Sequence, residues 1–225
     1  MHIEPGVVHG AKLALGAVTA LAAGGYTLKL AVDTARQSGI GSLALRSVIA
    51  TGLVFSFFEL LPHYPVGVSE VHLILGSTLF LILGAAPAAI GLALGLLIQG
   101  LFFAPFDLPQ YGMNVTTLLV PLFGIAALAK RTIPAGTAYV DLGYTDVLKL
   151  SFAYQGGVIA WVAFWVLWGE GFATSTFAGI ASFGAAYILV VAIEPLVDVA
   201  VLAVAKRLHA LKGSALVTPR LYSAA

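Results

Sequence analysis

Long apolar stretches alternate with short polar or glycine- and proline-rich breaks along this chain, and most are long enough to cross a bilayer as a helix. The first runs from about Val7 to Val32, with Lys12 and Lys29 near its ends. On a helix those lysines stand about 25 Å apart, so each reaches its own interface. Gly16, Ala20 and Gly24 recur within it as a smooth stripe that admits another helix closely. DTARQSGIGS reads as a polar loop, followed by a second span at about Leu43 to Leu61, with Arg46 at its start and Glu59 at its finish. After the proline-bracketed turn PHYPVG, a short third span is predicted over Val68 to Gly84, with Glu70 and His72 in its first turn and a half. A tight turn at AAP leads to a fourth, about Ala88 to Phe103, with a GxxxG pair at Gly91 and Gly95 and an embedded Gln99. APFDLPQYG connects to the fifth, Met113 to Ala129, which ends in Lys130-Arg131. The sixth, about Val147 to Trp168, gathers Trp161, Trp165 and Trp168 in its far half as an interfacial anchor. Phe177 to Ala205 is ~43 Å of helix, which suits one tilted or Pro195-bent span, or two spans.

Composition narrows the class. Of 225 residues, 60% are hydrophobic and 9% charged, with a mean hydropathy of +1.01. A soluble domain carries about 25% charged residues, so this is a membrane protein. Basic residues decide the number of spans. With seven spans and the N-terminus outside, Lys29, Arg36, Arg46, Lys130, Arg131, Lys149, Lys206, Arg207, Lys212 and Arg220 all fall on the cytoplasmic side, and Lys12 alone faces outward. Splitting the last stretch would export its basic C-terminal residues. The expected fold is therefore an all-α, polytopic bundle of about seven helices, N-terminus outside and C-terminus cytoplasmic. It forms a single transmembrane domain over 1–225, with 1–6 as an N-terminal plug and 206–225 as a cytoplasmic tail. No internal repeat supports an inverted-repeat transporter. Glu4, Pro5 and Lys12 do not fit a signal peptide, so the N-terminus is expected to be retained, Met1 included.

Charge and cysteine content exclude several functions. A net charge of +1 gives no basis for nucleic-acid binding, and the absence of cysteine rules out a thiolate metal site or a disulfide framework. The chemistry that remains is nitrogen. Met1 offers an α-amine and His2 a backbone amide and an imidazole, which together would close two chelate rings with three nitrogens near one plane. A fourth nitrogen completes a square that suits Ni(II), Cu(II) or low-spin Co(II) better than Zn(II). The topology places His2, His9, His63 and His72 on the outer side and His209 on the tail. The residues before the first helix can reach ~20 Å when extended, far enough to bring the Met1 amine back to His72, with Gly6 turning the chain and Pro5 stiffening it. His72 is otherwise an interfacial imidazole satisfied by Ser69 or a neighbouring carbonyl. Glu70 and Asp107 are candidates to orient imidazoles or to enrich cations at the mouth, while His9 and His63 belong at the rim. Glu194 and Asp198, one turn apart in the last span, are expected to contact Gln99, Gln155 or backbone groups, or to line an ion pathway.

MHIEPG, SEVHLILGS, QGLFF…DLPQYGMNVTTLLVPLFG and IEPLVDVAVLAVAKR together resemble the CbiM/NikM family, the substrate-specific membrane components of energy-coupling-factor transporters for cobalt and nickel. The resemblance covers most of the chain. It implies seven helices with the N-terminus plugged into the bundle from outside, and Co(II) or Ni(II), the transported substrate, held by Met1, His2 and His72. It also implies that Gln99 and Asn114 lie under or beside that site. Glu4-Pro5 reverses the order found in many relatives, Asp107-Leu108 replaces a glycine pair, and His9 matches no family ligand. The implied partners are a transmembrane coupling subunit, two cytoplasmic ATPase subunits and a small accessory membrane protein, in the cytoplasmic membrane of a bacterium or archaeon. The chain has no P-loop and no HExxH, so neither ATP hydrolysis nor zinc hydrolase chemistry is expected of it. The rival reading is a structural or assembly subunit with no metal site of its own.

Overall fold

The structure, a computed structural model, describes residues 2–223. Its helices are α1 (Leu13–Ser38), α2 (Ile40–Glu59), α3 (Gly76–Leu83), α4 (Ala85–Phe102), α5 (Tyr111–Thr132), α6 (Tyr144–Glu170) and α7 (Thr174–Ala205). Among the described residues, six are long and apolar enough to cross a membrane, all but α3. The chain is an all-α polytopic membrane bundle. The last apolar stretch is one continuous helix through Pro195, as the basic residues required.

The third span differs from expectation. No helix covers its first half: Tyr64–Val66 and Ser69–Val71 pair as an antiparallel hairpin, β1 and β2. His72 to Leu75 follow in non-helical form, and only Gly76–Leu83 is helical. Hydrophobicity does not distinguish a buried strand from a buried helix over so short a run. The turn residues do: Gly67, with φ +63°, lies between Val66 and Ser69, the position a two-residue hairpin gives to glycine. The expected polar loop DTARQSGIGS is also mostly helix, broken only at Gly39 (φ +83°).

A helix as short as α3, about 12 Å long, leaves orphan backbone groups at both ends that a membrane core cannot satisfy. Groups from α2, α7 and the C-terminal tail hold it at both ends. At its start, the Glu194 carboxylate accepts from the Ile74 backbone N–H, and Asp198 accepts from the Ser77 and Thr78 hydroxyls. At its end, Arg46 Nη1 donates to the Leu83 carbonyl at 2.7 Å and the Thr218 N–H donates to the Ile82 carbonyl at 2.8 Å. Acids sit at the positive end of the helix and a cation at the negative end, the arrangement its macrodipole favours. Glu194 also meets Gln155 as expected, and Gln155 in turn accepts from the Tyr187 hydroxyl at 2.6 Å.

Small residues set the helix spacing around this insert. A Cβ at Gly91 would overlap Ala50, and one at Gly95 would stand 2.7 Å from Val54 Cγ1, so the GxxxG pair seats α4 on α2. Gly16 meets Met113 on α5, whereas Gly24 faces open space. The residues after α7 fold back beneath the bundle: Val217, Leu221 and Tyr222 are buried.

Candidate metal centre

The N-terminal segment is built into the hairpin. Ile3 bridges Ser69 in antiparallel fashion, the Glu4 N–H donates to the Val68 carbonyl at 3.1 Å, and the Glu70 N–H donates to the His2 carbonyl at 2.8 Å. Ser69 Oγ adds a second bond to that carbonyl at 2.8 Å, and the Ile3 N–H donates to Asn114 Oδ1 at 2.9 Å. Gly6, at φ +96°, then turns the chain toward α1, as expected of it. Gly169 of α6 lets the Val7 carbonyl pass where any Cβ would collide. These contacts fix the backbone of residue 2, and with it the imidazole.

His2 and His72 are buried, with ring centroids 5.3 Å apart. His2 Nδ1 lies 2.5 Å from Asp107 Oδ2 and 3.5 Å from Glu70 Oε2, and His72 Nε2 lies 2.8 Å from that same Glu70 oxygen. Two imidazole nitrogens from segments remote in sequence thus converge on one carboxylate oxygen. One ligand atom from each of His2, Glu70 and His72 fits within a 4.8 Å group, as the inner ligands of a single cation would. Nδ1 is also the His2 nitrogen that can share a chelate ring with its own backbone amide. Phe58 walls the site, its ring centroid 5.2 Å from His72 and 6.4 Å from His2.

The field at this point is negative. Glu4, Glu70 and Asp107 gather there, and burial together with the charges of Glu70 and Asp107 raises the pKa of the Glu4 carboxyl. Burial, reinforced by neighbouring His2 and His63, holds the His72 pKa well below that of a free imidazole. A neutral His72 keeps a lone pair for a metal near pH 7.

Of the residues singled out from the sequence, His2, Ser69, Glu70, His72, Asp107 and Asn114 come together here. Ser69 bonds the His2 carbonyl rather than an imidazole. His72 stands on the segment after β2, with 1% exposure, and not on the wet first turn of a helix. Asp107 is delivered by the 3₁₀ turn Pro105–Gln110, and Asn114 with His2 lines a small cavity between that turn, α4 and α5. Gln99 is buried on α4 with its Oε1 unpartnered, and no described hydrogen bond ties it to the imidazoles. His63 is closer than a rim position implies: its ring stacks on His72 at 4.9 Å and 13°. His9 is exposed beyond the plug. Met1 lies outside the described residues. Glu4 was not among the expected site residues, although its place two residues after His2 in a plug that folds inward was a usable signal.

Comparison with known proteins agrees with this architecture. No curated protein matches the chain in sequence. A solved structure described as a truncated transition metal transporter shares the fold with a TM-score of 0.66 at 18% identity, over 95% of this chain and 99% of that one. The family model described as "CbiM: Cobalt uptake substrate-specific transmembrane region" matches residues 2–210. With nearly its whole length matched by that model, the chain belongs to the CbiM family, a family of membrane transport proteins rather than enzymes.

Proposed function

We propose that this chain is the substrate-capture subunit of an energy-coupling-factor transporter that imports Co(II) or Ni(II) across the cytoplasmic membrane of a bacterium or archaeon. The carrying observation is the convergence of His2 Nδ1 and His72 Nε2 on one Glu70 oxygen, at a plug held by backbone and side-chain hydrogen bonds to the hairpin and Asn114. The ion takes the Met1 α-amine, the His2 amide, His2 Nδ1 and a His72 nitrogen in a square, with Glu70 displaced toward an axial or outer position. Asp107 and Glu70 balance its charge, Ser69 and Asn114 hold the plug in register, and Gln99 lies beside the shell. The N-terminus faces outside and the C-terminus the cytoplasm, so capture occurs from the exterior. A transmembrane coupling subunit, two ATPase subunits and a small accessory membrane protein then drive release inside.

A second ligand set is favoured by the same geometry: the Glu70 oxygen stays bound between the two imidazoles. Metal content of purified protein from cells supplied with both ions tests the function and separates it from the structural-subunit reading. The expected result is about one Co(II) or Ni(II) per chain in the parent and loss from His72→Ala. A parent protein free of both ions after such growth would overturn the reading. Glu70→Gln separates the ligand sets, since it abolishes binding only where Glu70 is itself a ligand.

A further inference from the structure

At the end of the bundle away from the histidines, a cavity of about 570 Å³ lies between α1 and α5 and is floored by the C-terminal tail. Arg46, Lys130 and Arg220 line it, opposed by one carboxylate, Asp33. Arg46 is the most constrained of these. It is 1% exposed, its Nε bonds the Ser42 carbonyl and its Nη1 the Leu83 carbonyl, yet its Nη2 is buried without a partner. Arg220 repeats the pattern: it lies over the Tyr139 ring at 5.2 Å and reaches the Pro134 carbonyl, while its Nε is buried and unpartnered. Carbonyl contacts leave the buried Arg46 guanidinium charge uncompensated, a costly state in a low-dielectric setting. A planar guanidinium with a free edge matches a phosphate oxygen.

The walls indicate what carries the phosphate. Along α1 the lining residues are Tyr26, Leu30, Asp33 or Thr34, and Gln37, one helix face extending about 16 Å. The interior end is apolar, formed by Tyr26, Leu30, Phe80 and Ala126, and the outer end is polar and basic. On the opposite face α1 exposes Leu21, Leu28 and Val32, the surface of a helix that meets lipid, and Tyr26 in the cavity wall is itself exposed. We propose that the cavity binds an anionic phospholipid, its phosphate between Arg46 inside and Arg220 and Lys130 at the rim, and an acyl chain against the apolar wall. The bound lipid couples α1 and α5 to the C-terminal tail and supplies the counter-charge to Arg46, independently of any metal.

The test is native mass spectrometry and thermal unfolding of the full chain in neutral detergent, titrated with phosphatidylglycerol, phosphatidylcholine or inorganic phosphate. Phosphatidylglycerol is expected to remain bound and to raise the unfolding temperature, phosphatidylcholine to be retained at least about tenfold less well, and inorganic phosphate to protect weakly. Arg46→Gln, or Lys130→Gln with Arg220→Gln, should weaken phosphatidylglycerol retention about tenfold or more. The second pair lies at the rim and reports even where Arg46→Gln does not accumulate. Equal retention of the two lipids, or unchanged retention in the rim double variant, overturns the proposal. Protection by inorganic phosphate equal to that by phosphatidylglycerol also overturns it, assigning the cavity to a free anion.

Discussion

Burial holds the His72 imidazole neutral, and this makes the fold acid-sensitive at the residue proposed to take the metal. Its pKa lies well below the ordinary value of 6.5 because the ring is buried and His2 and His63 stand beside it. In the unfolded chain the imidazole protonates near 6.5 while the folded one does not. Stability from this site is therefore present above that pH, and is lost as pH falls toward the depressed native value. In the ion-free protein, His72→Asn should flatten the fall in unfolding temperature between pH 7 and pH 5; an unchanged slope would show that the ring is not the group responsible. His72→Ala should cost at least about a hundredfold in Co(II) or Ni(II) affinity, and His63→Ala much less, because His63 covers His72 rather than facing Glu70. Titration calorimetry on the two variants checks this, and equal losses would move the ligand role to the stacked pair. The pairing of His2 with His72 was legible because imidazoles are rare in a chain this apolar and topology put them on one side. That Ser69 would bond the His2 carbonyl, or that Glu4 would join the acidic group, depends on a strand register no residue pattern announces.

Between the hairpin and α4, the half-length helix α3 is the element that the apolar pattern hid and its partners reveal. A run from Val68 to Gly84 is short for a spanning helix, and the structure divides it so that the hairpin holds the plug while α3 dips into the bundle. Such an insert depends on Glu194, Asp198 and Arg46, all at most 1% exposed. The sequence pointed Glu194 toward Gln155 or backbone groups, but not to α3, since these partners lie more than thirty positions away in sequence. Asp198→Ala removes the acceptor for the buried Ser77 hydroxyl and the part-buried Thr78 hydroxyl at the start of α3, and a buried one costs about 1–3 kcal/mol when left unsatisfied. Lower unfolding temperature and poor accumulation are expected, with Asp198→Asn milder because it keeps an acceptor oxygen. If Asp198→Ala unfolds at the parent temperature, the insert is anchored otherwise. The glycines sort in the same way: Gly91→Val should disrupt α2–α4 packing, while Gly24→Val should fold normally, because no atom lies within 4 Å of its added carbon. Both glycine stripes were visible in the sequence, but only geometry tells which positions of each the bundle itself uses.

Across the whole molecule, the plug makes the beginning of the chain part of the interior, and this yields the most discriminating expectation. His2, Ile3 and Glu4 are tied to the hairpin by backbone bonds and to α5 through Asn114, and the His2 imidazole faces Glu70 and Asp107. Where the α-amine is a ligand, one added residue converts it into a peptide amide, a far poorer donor. The displaced terminus must also find room in a plug where Ile3 has no exposed surface. An N-terminal extension should therefore abolish tight Co(II) or Ni(II) binding and transport with every histidine in place, and His2→Ala should match it. An extension after Ala225 should leave binding intact, since the opposite end of the bundle carries the tail. Acidification offers an independent check on the same amine. Its unperturbed pKa of about 7.7–8.0 lies above that of any imidazole, so affinity should weaken steadily as pH falls from 8 to 6, where a neutral His72 does not yet compete for protons. The Glu70 ligand set predicts the reverse on both counts: tolerance of the extension, and no loss of affinity from protonation of the amine. An N-terminally extended protein that binds either ion as tightly as the native chain would remove the α-amine from the site, and Glu70→Gln would then decide whether the carboxylate takes its place.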